Sequence, residues 1–241
     1  LIRGEKLRPG EFGVMHGYMK IPELKRVCHA MEISINEYLV SVYIWSVYTE
    51  CLHGMPSKCP IRVAVPVNLR PYFNSITTKN FFVMVSAEFH PTKETYTFAE
   101  VAEIVKESLR SQINRENLEK LFSYNVSNEK LLIARVVPLF LKNLAMKYVY
   151  TTSALANTAT ITNIGNISVT EEYRPYVEMF HAFLAMSKGQ HLKGTICSYG
   201  DTLVFSFSYD LVDASVQRGF FRKIASDGIA VEIKSNGVNY E

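Results

Sequence analysis

The sequence predicts an α/β fold, a mixed sheet with helices packed on it, and three observations carry that reading. Two capping boxes, Ser34-Ile-Asn-Glu37 and Thr97-Phe-Ala-Glu100, each open a run of helical character. Short β-branched and aromatic runs, residues 61–67 and 80–89 among them, alternate with the helices. Beyond Thr158 the pattern turns to short strands, with Gly200-Asp201 between two of them.

In chain order, residues 14–20 read as a strand, and Pro22 suits the first turn of a helix running to about residue 31. Ser34 and Glu37 satisfy two backbone donors that a helix start leaves open, and the helix they begin, rich in Leu, Val, Tyr and Trp45, reaches about residue 52 before Gly54 ends it. The strands at 61–67 and 80–89 are both expected inside the sheet. Thr97 and Glu100 open a helix with Val101, Ile104, Val105 and Leu109 on one face. A short helix is expected at 116–122. Ser127 is expected to cap a long helix that continues to about residue 150 and bends at Pro138. Strands follow at 158–164, 177–185, 194–199 and 203–208, the last two joined by the Gly200-Asp201 turn. Asp213 caps a helix over 214–226, Gly228 closes it, and residues 229–233 form the last strand.

Composition narrows the function classes. The chain has 241 residues, 48% apolar and 20% charged, with a net charge of +3, which is too apolar and too weakly charged for a disordered chain. Its basic residues are dispersed, so no nucleic-acid partner is expected. Its most apolar stretch, residues 131–150, is broken by Arg135, Pro138, Lys142 and Lys147 before the ~20 apolar residues that a membrane-crossing helix needs. No membrane span and no signal peptide are read, and a cytoplasmic location is the expectation. Cys28, Cys51, Cys59 and Cys197 form no C-x-x-C pair and no metal-ligand pattern. They are expected as free thiols, a Cys51–Cys59 bridge being the alternative in an exported protein. The chain opens Leu1-Ile2-Arg3 without methionine and is expected to be a piece of a longer protein.

No phosphate-binding glycine loop and no G-x-S-x-G elbow occurs. The histidines, His16, His29, His53, His90, His181 and His191, are scattered, and each alone reads as a surface or packing residue. His16 and His181 fall in expected strands and are the pair most worth inspecting. The stretch Val65-Pro66-Val67-Asn68-Leu69-Arg70-Pro71 is followed by Asn80-Phe81-Phe82, and Thr162-Asn163-Ile164-Gly165 comes later.

In order and spacing these motifs resemble the C-terminal half of the CoA-dependent acyltransferase superfamily. That superfamily includes chloramphenicol acetyltransferase, the condensation domains of peptide synthetases and alcohol acetyltransferases, and the likeness is nearest to bacterial alcohol acetyltransferase-like proteins. The resemblance implies that residues 1–241 are one domain equivalent to the C-terminal subdomain of such an enzyme. It implies transfer of an acyl group from acyl-CoA to an alcohol or amine, with the coenzyme A thioester as co-substrate, no covalently bound cofactor and no metal. The family's general base is a histidine in an H-H-x-x-x-D-G motif, which this sequence does not contain, so no catalytic residue is expected in this chain.

Arg70 maps to the arginine that pairs with the motif's aspartate, and Asn68 to a residue holding the loop after the strand. Asn80, Thr162 and Asn163 would place polar groups on the oxyanion side of the acyl-transfer tunnel, and Gly165 would relieve backbone crowding. The residues themselves leave plainer alternatives open: Arg70 as a solvated strand-end charge, and the three polar residues as backbone-bonding groups in a strand or turn. A non-catalytic binding or assembly module that keeps the fold is the competing function. A half-fold is also expected to expose an apolar face through which the chain forms a homodimer.

Overall fold

The computed structural model describes residues 2–130, 137–187 and 189–237. Strand β1 (Gly13–Lys20) leads into helix α1 (Ile21–Ala30), which carries Pro22 in its first turn, and then into α2 (Ile35–Cys51). The Ser34 capping box is formed in full: the Glu37 carboxylate accepts the Ser34 N–H at 2.7 Å, and the Ser34 hydroxyl accepts the Glu37 N–H at 3.1 Å. Next come β2 (Ile61–Asn68), the single turn α3 (Arg70–Phe73), β3 (Phe82–Phe89) and α4 (Phe98–Gln112), the last again with its capping box. Helices α5 (Arg115–Lys130) and α6 (Leu139–Ala156) precede β4 (Ala159–Asn166). The chain finishes with β5 (Leu192–Tyr199), β6 (Thr202–Tyr209), α7 (Ser215–Ser226) and β7 (Val231–Ser235).

Among the described residues the strands form one sheet in the order β3-β2-β4-β5-β6-β1-β7. The β2–β4 and β4–β5 pairs are parallel and the others antiparallel, so this is the mixed α/β sheet that the sequence predicts. Helices α2, α4 and α7 cover one face. Helix α2 is apolar nearly all round because it is buried nearly all round: Tyr38, Leu39, Val40, Val42, Tyr43, Ile44 and Val47 are fully enclosed. Rings from β6 and α7 fill the far end of this layer, with Phe205 and Phe220 centroids 4.4 Å apart and Phe207 and Phe220 5.0 Å apart. Aromatic pairs of this kind stabilise by about 0.5–1.5 kcal/mol beyond their burial. Beneath them β1 has room only for glycine at Gly17, where a Cβ would stand 2.1 Å from Phe221 Cε1.

Several expectations are corrected. Strand β3 is the sheet edge, and its outward side chains Phe82 and Met84 are 49% and 45% exposed. Ser127 lies inside α5, residues 131–136 are outside the described ones, and Pro138 is the N-cap of α6 instead of a bend within a longer helix. Proline has no N–H to lose at a helix start, so this placement costs nothing that a mid-helix position would. Residues 177–185, read as a strand, run as a strap across the uncovered face without a ladder partner. The strap is held by its carbonyls and rings: Lys193 donates to Ala185 O at 2.8 Å, Cys197 Sγ to Phe180 O at 3.3 Å, and the Phe180 ring lies 5.3 Å from that of Tyr199. The N-cap of α7 is Ala214, not Asp213, which stands one residue earlier and accepts the Ser215 N–H at 2.9 Å. Gly200, at φ 60°, turns the β5–β6 hairpin as expected. The cysteines are free, Cys28 and Cys197 buried and Cys59 exposed. Among the described residues no helix is long and apolar enough to cross a membrane, and no cluster could hold a metal ion.

Candidate functional site

The topology brings every residue singled out in the motifs to one end of the sheet. Because β2 and β4 are parallel, Asn68 and Arg70 leave β2 on the same side as Thr162, Asn163 and Gly165 in the second half of β4. Strand β3 is antiparallel and enters opposite Asn68 at Phe82, which puts Asn80 at that end too. The β2–β4 ladder consists of Val63–Ala159 and Ala64–Thr160 only, so beyond it the two strands run on without pairing to each other. Open α/β sheets bind ligands at the carboxyl ends of their parallel strands, where neighbouring chains part.

Arg70 is occupied by its own loop. Its guanidinium donates to Thr77 O at 2.9 Å, to Lys79 O at 2.7 Å and to Asn68 Oδ1 at 3.2 Å, while the same Asn68 oxygen accepts the Arg70 N–H at 3.1 Å. A planar fork with five donors can seal a loop in this way, which a lysine could not. Asn68 thus holds the loop after the strand, and no carboxylate among the described residues pairs with Arg70. Asn163 Oδ1 accepts the Gly165 N–H at 2.8 Å within a β-bulge, and Asn163 Nδ2 reaches Asn36 Oδ1 at the start of α2 at 3.4 Å. Gly165 is corrected in its cause: a Cβ there would meet nothing within 4 Å, and the requirement is its φ of +85°. Asn80 is exposed and Thr162 half-buried, and neither side chain has a hydrogen-bond partner among the described residues.

From Thr162 a polar row crosses the strap-covered face in register: Thr162 opposite Thr195, Thr195 opposite Ser206, Ser206 opposite His16, and His16 opposite Lys234. The sequence offers no sign of it, since a row across strands depends on pairing. Ser206 Oγ and His16 Nδ1 are 2.7 Å apart. The His16 ring stands 4.7 Å from that of His181 on the strap, and Tyr18 Oη is 2.6 Å from His181 Nε2. The two histidines that single-residue reasoning could only mark for inspection therefore belong to one cluster. Burial, and then the neighbouring His181, push the His16 pKa below its usual value. The Thr195 hydroxyl is buried with no partner among the described residues, a desolvated polar atom at the centre of the row.

No family model matches the sequence, and no curated protein matches it. Comparison with solved structures shows the fold: the chain has the CoA-dependent acyltransferase/condensation-domain-like fold, as a half-fold. The nonribosomal peptide synthetase FmoA3 matches with TM-score 0.61 and 15% identity over 93% of this chain and 22% of that one. TRI101 from F. sporotrichioides, solved with coenzyme A and T-2, matches with TM-score 0.57 and 12% identity over 95% of this chain and 53% of that one. The epimerization domain from the third module of tyrocidine synthetase B gives TM-score 0.57 and 11% identity over 94% and 49%. The chain thus spans about half or less of the structures it resembles.

Proposed function

We propose that this chain forms one wall of an acyl-transfer site, in which an acyl group passes from a coenzyme A thioester to a hydroxyl or an amine. The observation that carries the reading is the convergence of Asn68, Arg70, Asn80, Thr162, Asn163 and Gly165 where β2 and β4 part. The coenzyme A complex of TRI101 supports the choice of donor. In this reaction the acceptor attacks the thioester carbon, the C–S bond breaks, the thiolate leaves, and a base takes the acceptor's proton. The base would come from an H-H-x-x-x-D-G segment outside this chain. Thr162 and Asn80, whose side chains have no hydrogen-bond partner among the described residues, would donate to the tetrahedral oxyanion. A second reading, a binding module without chemistry, draws on Arg70, whose guanidinium is already spent on loop carbonyls.

Thiol release from acetyl-CoA tests both. The 241-residue chain alone should be inactive, and turnover by it would overturn the placement of the base. In a longer protein carrying the H-H-x-x-x-D-G segment, Thr162→Val should lower kcat by about 100-fold. Unchanged turnover in that variant would remove Thr162 from the site, and a longer protein that binds coenzyme A without turnover would select the binding module.

A further inference from the structure

On the sheet face opposite α2 and α4, four residues stand in one cross-strand row: Ser86, Ala64, Thr160 and Lys193. Ala64 pairs with both Ser86 and Thr160, and Thr160 precedes Ile161, whose partner Gly194 follows Lys193. Three short side chains make a low floor that ends at an ammonium group. Along it runs a cavity of about 660 Å³, walled by Phe82 and Met84 of β3, Leu121 and Tyr124 of α5, and Tyr150 of α6. These five side chains are exposed, an apolar lining left open by the described residues.

Lys193 is 8% exposed, and among the described residues its Nζ donates to one acceptor, Ala185 O at 2.8 Å. An ammonium carries three donors, so two remain unspent. No carboxylate among the described residues pairs with it, whereas Lys20, Lys106 and Lys223 each have one. Burial alone pushes its pKa below the usual lysine value, so the charged form lacks compensation. An anion arriving at Nζ would supply that compensation, and an apolar tail on the anion would cover the open lining. One cation suits a single negative charge; of the polar side chains beside it, Thr160 and Gln190 bond to each other at 3.1 Å, and Ser187 lines the same end next to Gln190.

We propose that this groove binds a single-chain aliphatic carboxylate, with its head on Lys193 and its tail against Met84, Phe82, Leu121, Tyr124 and Tyr150. The site stands independently of the acyl-transfer reading, because it needs neither coenzyme A nor a segment outside the chain.

Calorimetric titration of the 241-residue chain with decanoate, below its micelle concentration, tests the proposal. Decanoate should bind, and octanoate should bind more weakly by about fourfold per methylene removed. Decanol, which lacks the charge, should bind at least about tenfold more weakly than decanoate. Lys193→Met should abolish the preference for decanoate over decanol. If that variant does not fold, Met84→Glu at an exposed wall position should weaken decanoate through like charge and leave the melting temperature unchanged. Absence of decanoate binding, equal affinity for decanoate and decanol, or full decanoate affinity in Lys193→Met or in Met84→Glu would each overturn the proposal.

Discussion

The Tyr38 hydroxyl donates to Asp227 Oδ2 at 2.7 Å, joining the first turn of α2 to the residue that ends α7. Asp227 also holds Lys223, whose ammonium lies 4.0 Å from the centre of the Phe98 ring at the start of α4. The Phe98 and Tyr38 rings meet edge to face at 6.1 Å. Three helices thereby share one corner in which a phenol, a carboxylate and an ammonium are mutually satisfied. Burial, and then the bond to Asp227, hold the Tyr38 proton far above the usual phenol range.

Tyr38→Phe keeps the ring and leaves Asp227 paired with Lys223. It should cost about 1 kcal/mol, read as a fall of about 2–4 °C in Tm for a domain of this size. Asp227→Ala leaves a buried hydroxyl and an ammonium without their acceptor and should cost more. Equal losses in the two variants would mean that the corner is held by packing alone.

His16 should make the strap acid-sensitive. Its pKa is lowered in the folded state by burial and then by His181, so the unfolded chain binds the proton more readily. The stability tied to neutral His16 is present above the unfolded value of 6.5 and is lost as pH falls toward the lower folded value. Lys234, opposite His16 in the β1–β7 register, adds a positive charge that Glu232 pairs at 3.2 Å, and Tyr18 Oη is hydrogen-bonded to His181. Protection of the amides over residues 177–187, taken relative to the intrinsic exchange rate at each pH, should therefore fall between pH 7 and pH 5, and His16→Gln should flatten that change. A strap whose protection does not vary with pH would show that His181 leaves without cost.

Arg70→Ala should release the loop from residue 74 to residue 80. Three bonds donated by the guanidinium disappear, two of them to the backbone carbonyls of Thr77 and Lys79. The expected loss is about 1–2 kcal/mol, with faster amide exchange confined to that loop. Arg70→Lys restores the charge without the fork and should recover little of it. Full recovery by lysine would show that charge, and not geometry, holds the loop.

Gly17→Ala places a methyl group where the Phe221 ring already stands, 2.1 Å from Cε1. The strand cannot retreat, since β6 and β7 flank it on both sides. A loss of about 1–3 kcal/mol is expected in urea unfolding. Combining it with Phe221→Leu should return part of that loss, and a double variant no more stable than Gly17→Ala would show that the ring is not the obstacle.

What could be read from residue order alone was what is settled locally. The capping boxes at Ser34 and Thr97 formed as written because cap and partner lie three residues apart, and Gly200 turned its hairpin because positive φ is a single-residue property. The motif residues, far apart in the chain, gather at one end of the sheet. Residues 177–185 were misread because an extended alternating segment becomes a strand only if another strand offers its ladder. The edge position of β3, the row through Ser206 and His16, and the floor under Lys193 were invisible for the same reason: each depends on which segment lies beside which. Pro138 failed differently, since a proline can start a helix as readily as bend one, and the apolar pattern around it continues on both sides.

The short β2–β4 ladder also divides the molecule mechanically. Two residue pairs of backbone pairing connect the β3–β2 edge to the remaining strands, so the sheet by itself is nearly two sheets. What spans the division is α2, whose Tyr48 ring lies 5.5 Å from Phe89 on one side and whose Tyr43 ring lies 6.0 Å from Phe207 on the other. The helix acts as a splint, and cooperativity between the halves travels through its side chains more than through the ladder. Loosening α2 would let the edge pair swing on the β4 seam, widening the gap between Asn68 and Asn163 while each half kept its own core.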